Sequence, residues 1–401
     1  MHAVFNYLVT KQIVMISMFK RHILSAVVAL GMAVSGQAQQ TEQFSIATLN
    51  IDGLPQKILV FNVNAEGPGS PGTVRIGKYL LKKDYDLIFL QEDFNYHEEL
   101  SIVMEDNYRF DTWSGDVGLE GHKVDFLHLQ NHRFECDGLM ACWKNGHNVS
   151  AGQRTAWADG FGKFSHNNDL LATKGFRRYE VTLANGKQIV VYDVHMDAED
   201  DLDTEEGKAG PDRAARQNQR KQLRDEILNR LDDRPVIVLG DFNTFYFRDK
   251  AKEDFIDAIN ASGKATIADV WVELQNKGKF PDYQEDNRVR DDREEEHGGE
   301  SLDKILYINP ASGSMSLKPL SYSRDMDGFK HNGKALSDHF PVAATFQLTD
   351  RKSTGIQAIG NDAQAEGNAE YYNISGQRVS HPASGIYIEQ TAKGIRKRII
   401  K

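Results

Sequence analysis

The fold of this chain is decided by the stretch Pro235-Val236-Ile237-Val238-Leu239-Gly240-Asp241-Phe242-Asn243. Its apolar residues predict a buried strand, which ends at Gly-Asp-Phe-Asn. Asp241 and Asn243 lie two residues apart, so their side chains project the same way. The pair is typical of a strand end that holds an acid/base group or metal ligand beside a neutral orienting amide. Gly, Asp and Asn are also ordinary turn residues, so this stretch alone leaves both interpretations open.

Composition indicates a globular protein with a real core. The chain has 401 residues, of which 40% are hydrophobic and 26% charged. This length allows two or three domains, or one large α/β domain with appendages. The formal net charge is -10, and an acidic protein is not steered toward polyanions by its overall field. We therefore predict no stable nucleic-acid partner, and the sequence does not determine the oligomeric state.

The N-terminus predicts an export signal over residues 1–38. Lys20 and Arg21 form a basic patch, residues 23–35 are apolar but too short to span a bilayer comfortably, and small residues precede a cleavage point after Ala38. Met18 precedes the basic patch and is a candidate for the true start. An uncleaved membrane anchor is the alternative. We expect an exported protein that is periplasmic, displayed at the cell surface or secreted.

The two cysteines, Cys136 and Cys142, have no zinc-site spacing. In an exported protein they could form a short-loop disulfide. Cys142 also lies in a predicted strand, where it would be a small buried apolar residue. Their pairing stays open.

Strands and helices alternate in one long unit over residues 42–349, without an internal repeat. Predicted strands cover 44–50, 86–90, 177–183, 188–194, 235–239, 302–308 and 340–348, and predicted helices cover 75–83, 96–106, 213–231 and 254–260. Several strands are apolar on both faces, so both faces of each sheet must be covered. Residues 350–368 have the composition of a linker, and residues 369–401 predict a small β module with a basic end.

The predicted strands end or begin at residues that carry acid, amide or imidazole groups: Asn50, Glu92, His195, Asp241 with Asn243, Asp303, and Asp338 with His339. This set suits hydrolysis of a phosphate ester with a hard divalent cation. Oxygen ligands such as Glu92, Asp338 and the Asn50 amide are those that Mg²⁺ or Ca²⁺ prefers. Taken singly, each residue could also be a cap, a surface carboxylate, a turn residue or an ion-pair partner. Taken together they favour a catalytic site.

The same residues suggest roles in hydrolysis. Asp241 can take a proton from a water molecule that Asn243 holds. His195 and His339 can donate hydrogen bonds to phosphate oxygens or protonate the leaving group. Asp303 could hold the tautomer of His339.

Six motifs resemble, in order, those of the endonuclease/exonuclease/phosphatase superfamily with its DNase I-like fold. They are Thr48-Leu49-Asn50, Leu90-Gln91-Glu92, Val194-His195, Gly240-Asp241-Phe242-Asn243, Leu302-Asp303-Lys304-Ile305 and Ser337-Asp338-His339-Phe340-Pro341-Val342. The resemblance spans about residues 44–348. It implies an α/β (α+β) four-layer sandwich of two mostly antiparallel β-sheets flanked by helices, and metal-dependent cleavage of a phosphodiester substrate.

The resemblance also implies a role for each residue. Asn50, Glu92 and Asp338 would bind the metal, which is Mg²⁺ or another divalent cation such as Mn²⁺ or Ca²⁺. Asp241 with Asn243 would activate water, and His195 would contact the scissile phosphate. His339 would be catalytic and oriented by Asp303.

Two extensions are similar to motifs of neutral and bacterial sphingomyelinases: Asn50-Ile51-Asp52-Gly53-Leu54-Pro55 and His195-Met196-Asp197-Ala198-Glu199-Asp200. A weaker similarity covers the segment around Lys174-Gly175, which is also compatible with a plain turn. We therefore expect a sphingomyelinase or phospholipase C-like enzyme that acts on a sphingolipid at a membrane surface. One feature departs from that branch. Secreted bacterial sphingomyelinases carry an apolar hairpin, whereas the comparable region here ends in the acidic run 291–296, which anionic lipid would repel.

Other functions stay open at this point. The enzyme alternatives are an extracellular DNase-like endonuclease and an inositol-phosphate phosphatase, and the non-enzyme alternative is a catalytically silent surface-binding protein. The tail, from Tyr372-Asn373-Ile374 onward, resembles the C-terminal secretion-sorting domains of Bacteroidota. That implies a contact with outer-membrane secretion machinery, and an accessory β module without a sorting role is the alternative.

Overall fold

The computed structural model describes residues 41–58, 61–62, 64–115, 136–159, 173–198, 211–282, 299–351, 370–373, 377–380, 382–391 and 394–400. The chain divides into two compact units, 1–351 (the main unit) and 352–401 (the C-terminal unit). The predicted signal peptide, nearly all of the predicted linker and the acidic run 291–296 lie outside the described residues.

The main unit has strands and helices in the following order. The strands are β1 (Thr41–Asn50), β2 (Lys57–Ile58), β3 (Phe61–Asn62), β4 (Leu87–Gln91), β5 (Tyr108–Phe110), β6 (Met140–Lys144), β7 (Asn148–Val149), β8 (Gln153–Ala156), β9 (Gly175–Thr182), β10 (Gln188–His195), β11 (Val236–Asp241), β12 (Ala265–Asp269), β13 (Asp303–Pro310), β14 (Met315–Arg324), β15 (Lys330–His331), β16 (Lys334–Ala335) and β17 (Val342–Asp350). The helices are α1 (Gly69–Lys83), α2 (His97–Met104), α3 (Pro211–Arg230), a π-helical segment (Lys252–Asp257) that continues as α4 (Ala258–Ala261), and α5 (Val270–Leu274). None of the described helices combines the length and the apolar character needed to cross a bilayer.

Two large sheets form the centre of the main unit. The first has the strand order β14-β17-β1-β4-β6-β5, and the second has the order β12-β13-β11-β10-β9-β7, with β8 also paired to β9. Two neighbouring pairs are parallel, β1 with β4 and β10 with β11. The other neighbours in both sheets are antiparallel.

The apolar side chains define four layers. Phe89 and Val191 belong to the core between the sheets. Leu80 of α1 and Leu100 of α2 pack on the outer face of the first sheet, and Leu223 of α3 packs on the outer face of the second. Successive residues of a strand point to opposite faces, so strands that are apolar throughout supply both cores. The predicted helix-flanked two-sheet sandwich is confirmed.

Gly240 lets strands β10 and β11 lie in the register that the site needs. It pairs with Val194, and the next pair along is His195 with Asp241. Its φ is +129°, and a Cβ at this position would lie 2.1 Å from the Val194 carbonyl oxygen. A glycine is therefore required where the buried strand delivers Asp241.

Gly240→Ala is expected to lower the free energy of unfolding by about 3 kcal/mol, because a methyl group meets backbone in a strained conformation. Gly186→Ala is a matched control, since Gly186 also has a positive φ of +87° but nothing within 4 Å of its added Cβ. The control should lose only about 1 kcal/mol. Urea denaturation measures both variants, and equal losses would contradict the close-contact argument.

Some features differ from the sequence prediction. Strand β14 was not predicted, because it is an edge strand with a register shift between Pro319 and Ser321 that breaks the apolar alternation. Charged residues of a helix usually face solvent, but two arginines of α3, Arg216 and Arg220, do not. Both are buried, and they pair with Asp249 and Asp254 respectively.

The C-terminal unit is a small sheet, as predicted. Its strands are β18 (Glu370–Tyr372), β19 (Arg378–Val379), β20 (Gly385–Thr391) and β21 (Gly394–Ile400), in the antiparallel order β19-β18-β20-β21. Buried Glu389 accepts hydrogen bonds from the Tyr371 hydroxyl at 2.9 Å and from Arg398 at 3.0 Å. These hydrogen bonds to Glu389 join β18, β20 and β21.

The sequence left open whether the two cysteines are paired, and the structure answers this. Cys136 and Cys142 are both buried and are not joined by a disulfide. Burial raises the pKa of the Cys142 thiol well above its ordinary value, so it is an unreactive small core residue.

Candidate active site

In the structure the predicted site residues lie together, at one end of the central strands of both sheets. β1 and β4 are parallel, so Asn50 lies beside Gln91 and next to Glu92. β10 and β11 are parallel, so His195 lies beside Asp241. Antiparallel β13 places Asp303 opposite Asp241. Antiparallel β17 starts at this same edge, which places Asp338 and His339 there as well.

Asp241 is the centre of the site. Its Oδ2 lies 3.1 Å from Asn50 Nδ2 and 3.2 Å from Asn243 Nδ2. It also lies 3.5 Å from His195 Nε2 and 3.7 Å from His339 Nε2. The side chain is buried, and burial raises the pKa of its carboxyl above the ordinary value, with His339 opposing this effect. Four nitrogen groups therefore converge on one buried carboxylate oxygen.

Asn243 is fixed by its own backbone and by the neighbouring strand. Its φ is +47°, a left-handed conformation that Asn tolerates better than most residues. Its backbone N–H donates to Asp241 Oδ1 at 2.9 Å, and its Nδ2 donates to the Met196 carbonyl at 3.1 Å. The amide is therefore held beside Asp241 before any substrate arrives.

Glu92 also has a left-handed backbone, with a φ of +59°. Its carbonyl accepts the backbone N–H of Gly53 at 3.1 Å, and a Cβ on Gly53 would lie 2.2 Å from that oxygen. Its Oε1 accepts a hydrogen bond from Asn50 Nδ2 at 3.0 Å and lies 3.7 Å from His195 Nε2. Gly53 is part of the motif that resembles sphingomyelinases. Its close contact with the Glu92 carbonyl helps to hold the Glu92 backbone in place.

Asp52 is a third carboxylate in the site, beside Glu92 and Asp338, and it was not among the predicted site residues. Its backbone N–H donates to Asn50 Oδ1 at 2.9 Å, and its own side chain accepts a hydrogen bond from Asn64. Burial, together with Asp338 and Glu92, raises the pKa of Asp52 to about 8. Burial and Asp338 likewise raise the pKa of Glu92 to about 7. Its sequence signal is an acid two residues after Asn50, and an Asp before a Gly is also typical of a turn.

The carboxylates of Asp52, Glu92 and Asp338 repel one another, and a bound cation would relieve this repulsion. Asp338 is exposed, whereas Glu92 is only partly exposed. Carboxylate and amide oxygens are a donor set for a hard divalent ion. The residues present therefore fit the predicted metal.

His339 and Asp303 form a hydrogen-bonded pair, with Nδ1 and Oδ2 2.9 Å apart. Burial would lower the pKa of His339, but Asp303, Asp241 and Asp338 together raise it well above its ordinary value. Asp241, Asp303 and His339 also offer ligand atoms that all lie within 4.8 Å of one another, a spacing that a metal ion could use. The group can therefore serve as an acid/base pair or as a cation site.

Ser337 joins two of these elements, although the sequence did not predict a role for it. Its hydroxyl donates to the Asn50 carbonyl at 2.8 Å and accepts the His339 backbone N–H at 3.2 Å. This bond ties the segment before β17 to the end of β1.

His195 is a buried imidazole. Burial, Lys174 and His339 keep its pKa well below the ordinary value. Within the described part of the chain, neither ring nitrogen makes a hydrogen bond, while its carbonyl accepts the Trp157 indole N–H at 2.7 Å. Its ring is therefore available to a ligand. Lys174 also opposes the rise in the pKa of Glu92 and of Asp241, and the Lys174-Gly175 similarity is the sequence signal for it.

A family model described as "Endonuclease/Exonuclease/phosphatase family" matches residues 47–307. No curated protein sequence matches the chain. Similar solved structures include D. rerio TDP2 complexed with single strand DNA product, at 17% identity and a TM-score of 0.48, covering 76% of this chain and 99% of that one. Beta toxin from Staphylococcus aureus has 15% identity and a TM-score of 0.46, with coverage of 75% and 99%. An endonuclease/exonuclease/phosphatase family protein from Bacteroides thetaiotaomicron has 15% identity and a TM-score of 0.44, with coverage of 77% and 96%.

Proposed function

The chain belongs to the endonuclease/exonuclease/phosphatase family, and from this premise we propose that it is an exported, divalent-metal-dependent phosphodiesterase of the sphingomyelinase or phospholipase C type. The observation that carries the proposal is the convergence of Asn50, Asn243, His195 and His339 on Asp241 Oδ2. A buried carboxylate surrounded by orienting amides and imidazoles suits proton removal from water at a phosphorus centre.

The chain offers oxygen ligands for the metal from Glu92 and Asp338, with Asn50 beside them. Asn50 Oδ1 accepts the Asp52 N–H, and an amide oxygen has a second lone pair for a cation. When bound, Mg²⁺, Mn²⁺ or Ca²⁺ would polarise a phosphoryl oxygen and offset the negative charge that develops on it.

The protein side chains supply the other parts of the proposed hydrolysis. Asp241 accepts the proton of the attacking water, and its raised pKa makes it a stronger base than an exposed aspartate. Asn243 orients that water. His195 contacts a phosphate oxygen with its available ring nitrogen. His339, held by Asp303, carries the proton that the leaving group takes.

The lipid substrate is the finer part of the proposal. It rests on the Asn50–Pro55 and His195–Asp200 similarities, of which Glu199 and Asp200 lie outside the described residues. The close packing of Gly53 against Glu92 explains that glycine without reference to the substrate. The His195 extension is therefore the stronger support for a lipid substrate. Export rests on the predicted signal over 1–38 and on the resemblance of the tail to sorting domains.

A substrate panel tests substrate and export together. The full chain is expressed, and culture medium and cells are assayed separately with Mg²⁺ on sphingomyelin, phosphatidylcholine, an inositol phosphate, DNA and bis(4-nitrophenyl) phosphate. We expect phosphocholine release from sphingomyelin, with most of the activity in the medium. An Asp241→Asn chain prepared identically controls for contaminating hydrolases.

The other outcomes are distinct. DNA cleavage without phosphocholine release would exclude the lipid substrate and favour a nuclease. Activity that stays inside the cells would contradict export. No hydrolysis of any substrate would favour a surface-binding protein that has kept the fold.

A further inference from the structure

A chain of buried polar side chains crosses between the two sheets directly beneath the site. Thr48 of β1 donates its hydroxyl to Gln91 Oε1 at 3.1 Å, and Gln91 Nε2 donates to Asp193 Oδ1 at 2.5 Å. All three side chains are fully buried. Thr48 and Gln91 belong to the first sheet and Asp193 to the second, so the Gln91–Asp193 bond links one sheet to the other.

This link lies next to the functional residues along each strand. Gln91 immediately precedes Glu92, and Asp193 lies two residues before His195 on the same face of β10. Stacked sheets are held together by side-chain packing rather than by a backbone ladder. Farther from the site the sheets meet through apolar side chains such as Phe89 and Val191, whose contacts have no preferred direction. At the site itself Asn50 Nδ2 donates to Asp241 Oδ2 between the sheets at 3.1 Å. The buried Gln91–Asp193 bond adds a second directional contact, and such bonds fix the separation of the sheets more sharply than the apolar contacts do.

The surroundings of Asp193 indicate a neutral side chain. Arg177 lies opposite it in the β9–β10 register, but that guanidinium binds Asp137 at 2.7 Å and Asp111 at 2.8 Å. Asp193 Oδ2 has no hydrogen-bond partner within the described residues. An ionised carboxylate in such a place would be costly, so the protonated form is favoured. Burial accordingly raises the pKa of Asp193 well above its ordinary value.

We propose that Gln91 and Asp193 are positioning residues whose hydrogen bond sets the separation of Glu92 on the first sheet from His195 on the second, 3.7 Å between Oε1 and Nε2. The proposal rests on the proposed function for the roles of Glu92 and His195. Neither Gln91 nor Asp193 reaches the substrate. They act by fixing the distance between the metal ligand and the phosphate contact.

Two substitutions at Asp193 separate the hydrogen bond from simple packing. Asp193→Asn keeps the shape and can still pair with Gln91, so kcat on bis(4-nitrophenyl) phosphate should stay within about threefold. Asp193→Val removes the bond, and kcat should fall about 100-fold with little change in KM, as for a misplaced catalytic group. Affinity for Mn²⁺, measured by titration calorimetry, should fall about 10-fold in the same variant, as it does when a metal ligand loses its support.

Val191→Ala is the matched control. Val191 is fully buried on the same face of β10, two residues before Asp193, and makes no polar bond. It should lower the unfolding midpoint while leaving kcat and Mn²⁺ affinity near wild type. Crystal structures of Asp193→Val and the wild type should show a longer Glu92–His195 separation in the variant.

The proposal is overturned if Asp193→Val behaves like Val191→Ala, with lost stability but intact kcat and Mn²⁺ affinity. It is also overturned if Asp193→Asn is as damaging as Asp193→Val, because the carboxylate itself would then be needed. Should the wild type hydrolyse nothing in the panel, the proposed function fails, and the Glu92–His195 separation in the two crystal structures still decides this inference.

Discussion

Replacing Asp241 with asparagine is expected to lower kcat by about 10³- to 10⁴-fold with little change in KM, the size of effect that follows loss of a general base. Asparagine has the same shape and can keep a bond to Asn50 or Asn243, so the fold should survive. It cannot accept the proton of the attacking water. Single-turnover kinetics on bis(4-nitrophenyl) phosphate measure the chemical step directly.

Asp269→Asn is the matched control for that loss. Asp269 is as deeply buried as Asp241, caps α5 through the Val272 N–H and accepts the Tyr246 hydroxyl at 2.7 Å. Its variant should lose stability and keep kcat. If Asp241→Asn retained more than about a tenth of wild-type kcat, a general-base role would be untenable on the magnitudes known for such groups.

The strand ends could be located from the sequence because their signal is local. Asn50, His195 and Asp241 each follow a short apolar run, and alternation along a strand is visible without knowing its neighbours. The four-layer class follows from the same runs, since strands that are apolar on both faces need cover on both sides.

What the sequence did not reveal depends on which strands are neighbours. Asn50 and Asp241 are 191 positions apart and share a hydrogen bond only because the two sheets stack. Asp52 becomes part of the acidic group through the β1–β4 pairing, which brings Glu92 beside it. Gln91 and Asp193 form their link across the sheets in the same way. No local pattern encodes such contacts, and a turn or a buried strand was the natural interpretation of each residue.

The acidic group leads to the second large effect. Glu92→Gln is expected to weaken Mn²⁺ binding by at least about 100-fold, more than loss of a supporting residue does. It should also lower kcat by about 10³-fold, since several kcal/mol of charge stabilisation is lost. Glutamine keeps a hydrogen bond to Asn50, so the unfolding midpoint of the metal-free protein should change little. Titration calorimetry and the same kinetic assay measure the two effects.

His339→Asn decides between the two places where a cation could bind. If Glu92, Asp338 and Asn50 hold the metal, His339→Asn keeps Mn²⁺ affinity within about threefold, because it removes an acid/base group and no ligand. If Asp241, Asp303 and His339 hold it, the pattern reverses, and His339→Asn loses affinity while Glu92→Gln keeps it. The carboxylates favour the first arrangement. Asp52 and Glu92 both have raised pKa values beside Asp338, whereas Asp303 and Asp241 already face the imidazole of His339. His339 is the strongest group that opposes the rise in the pKa of Asp241, whereas its effect on the pKa of Asp52 and of Glu92 is weaker than that of Asp338. A cation therefore relieves more repulsion in the first arrangement.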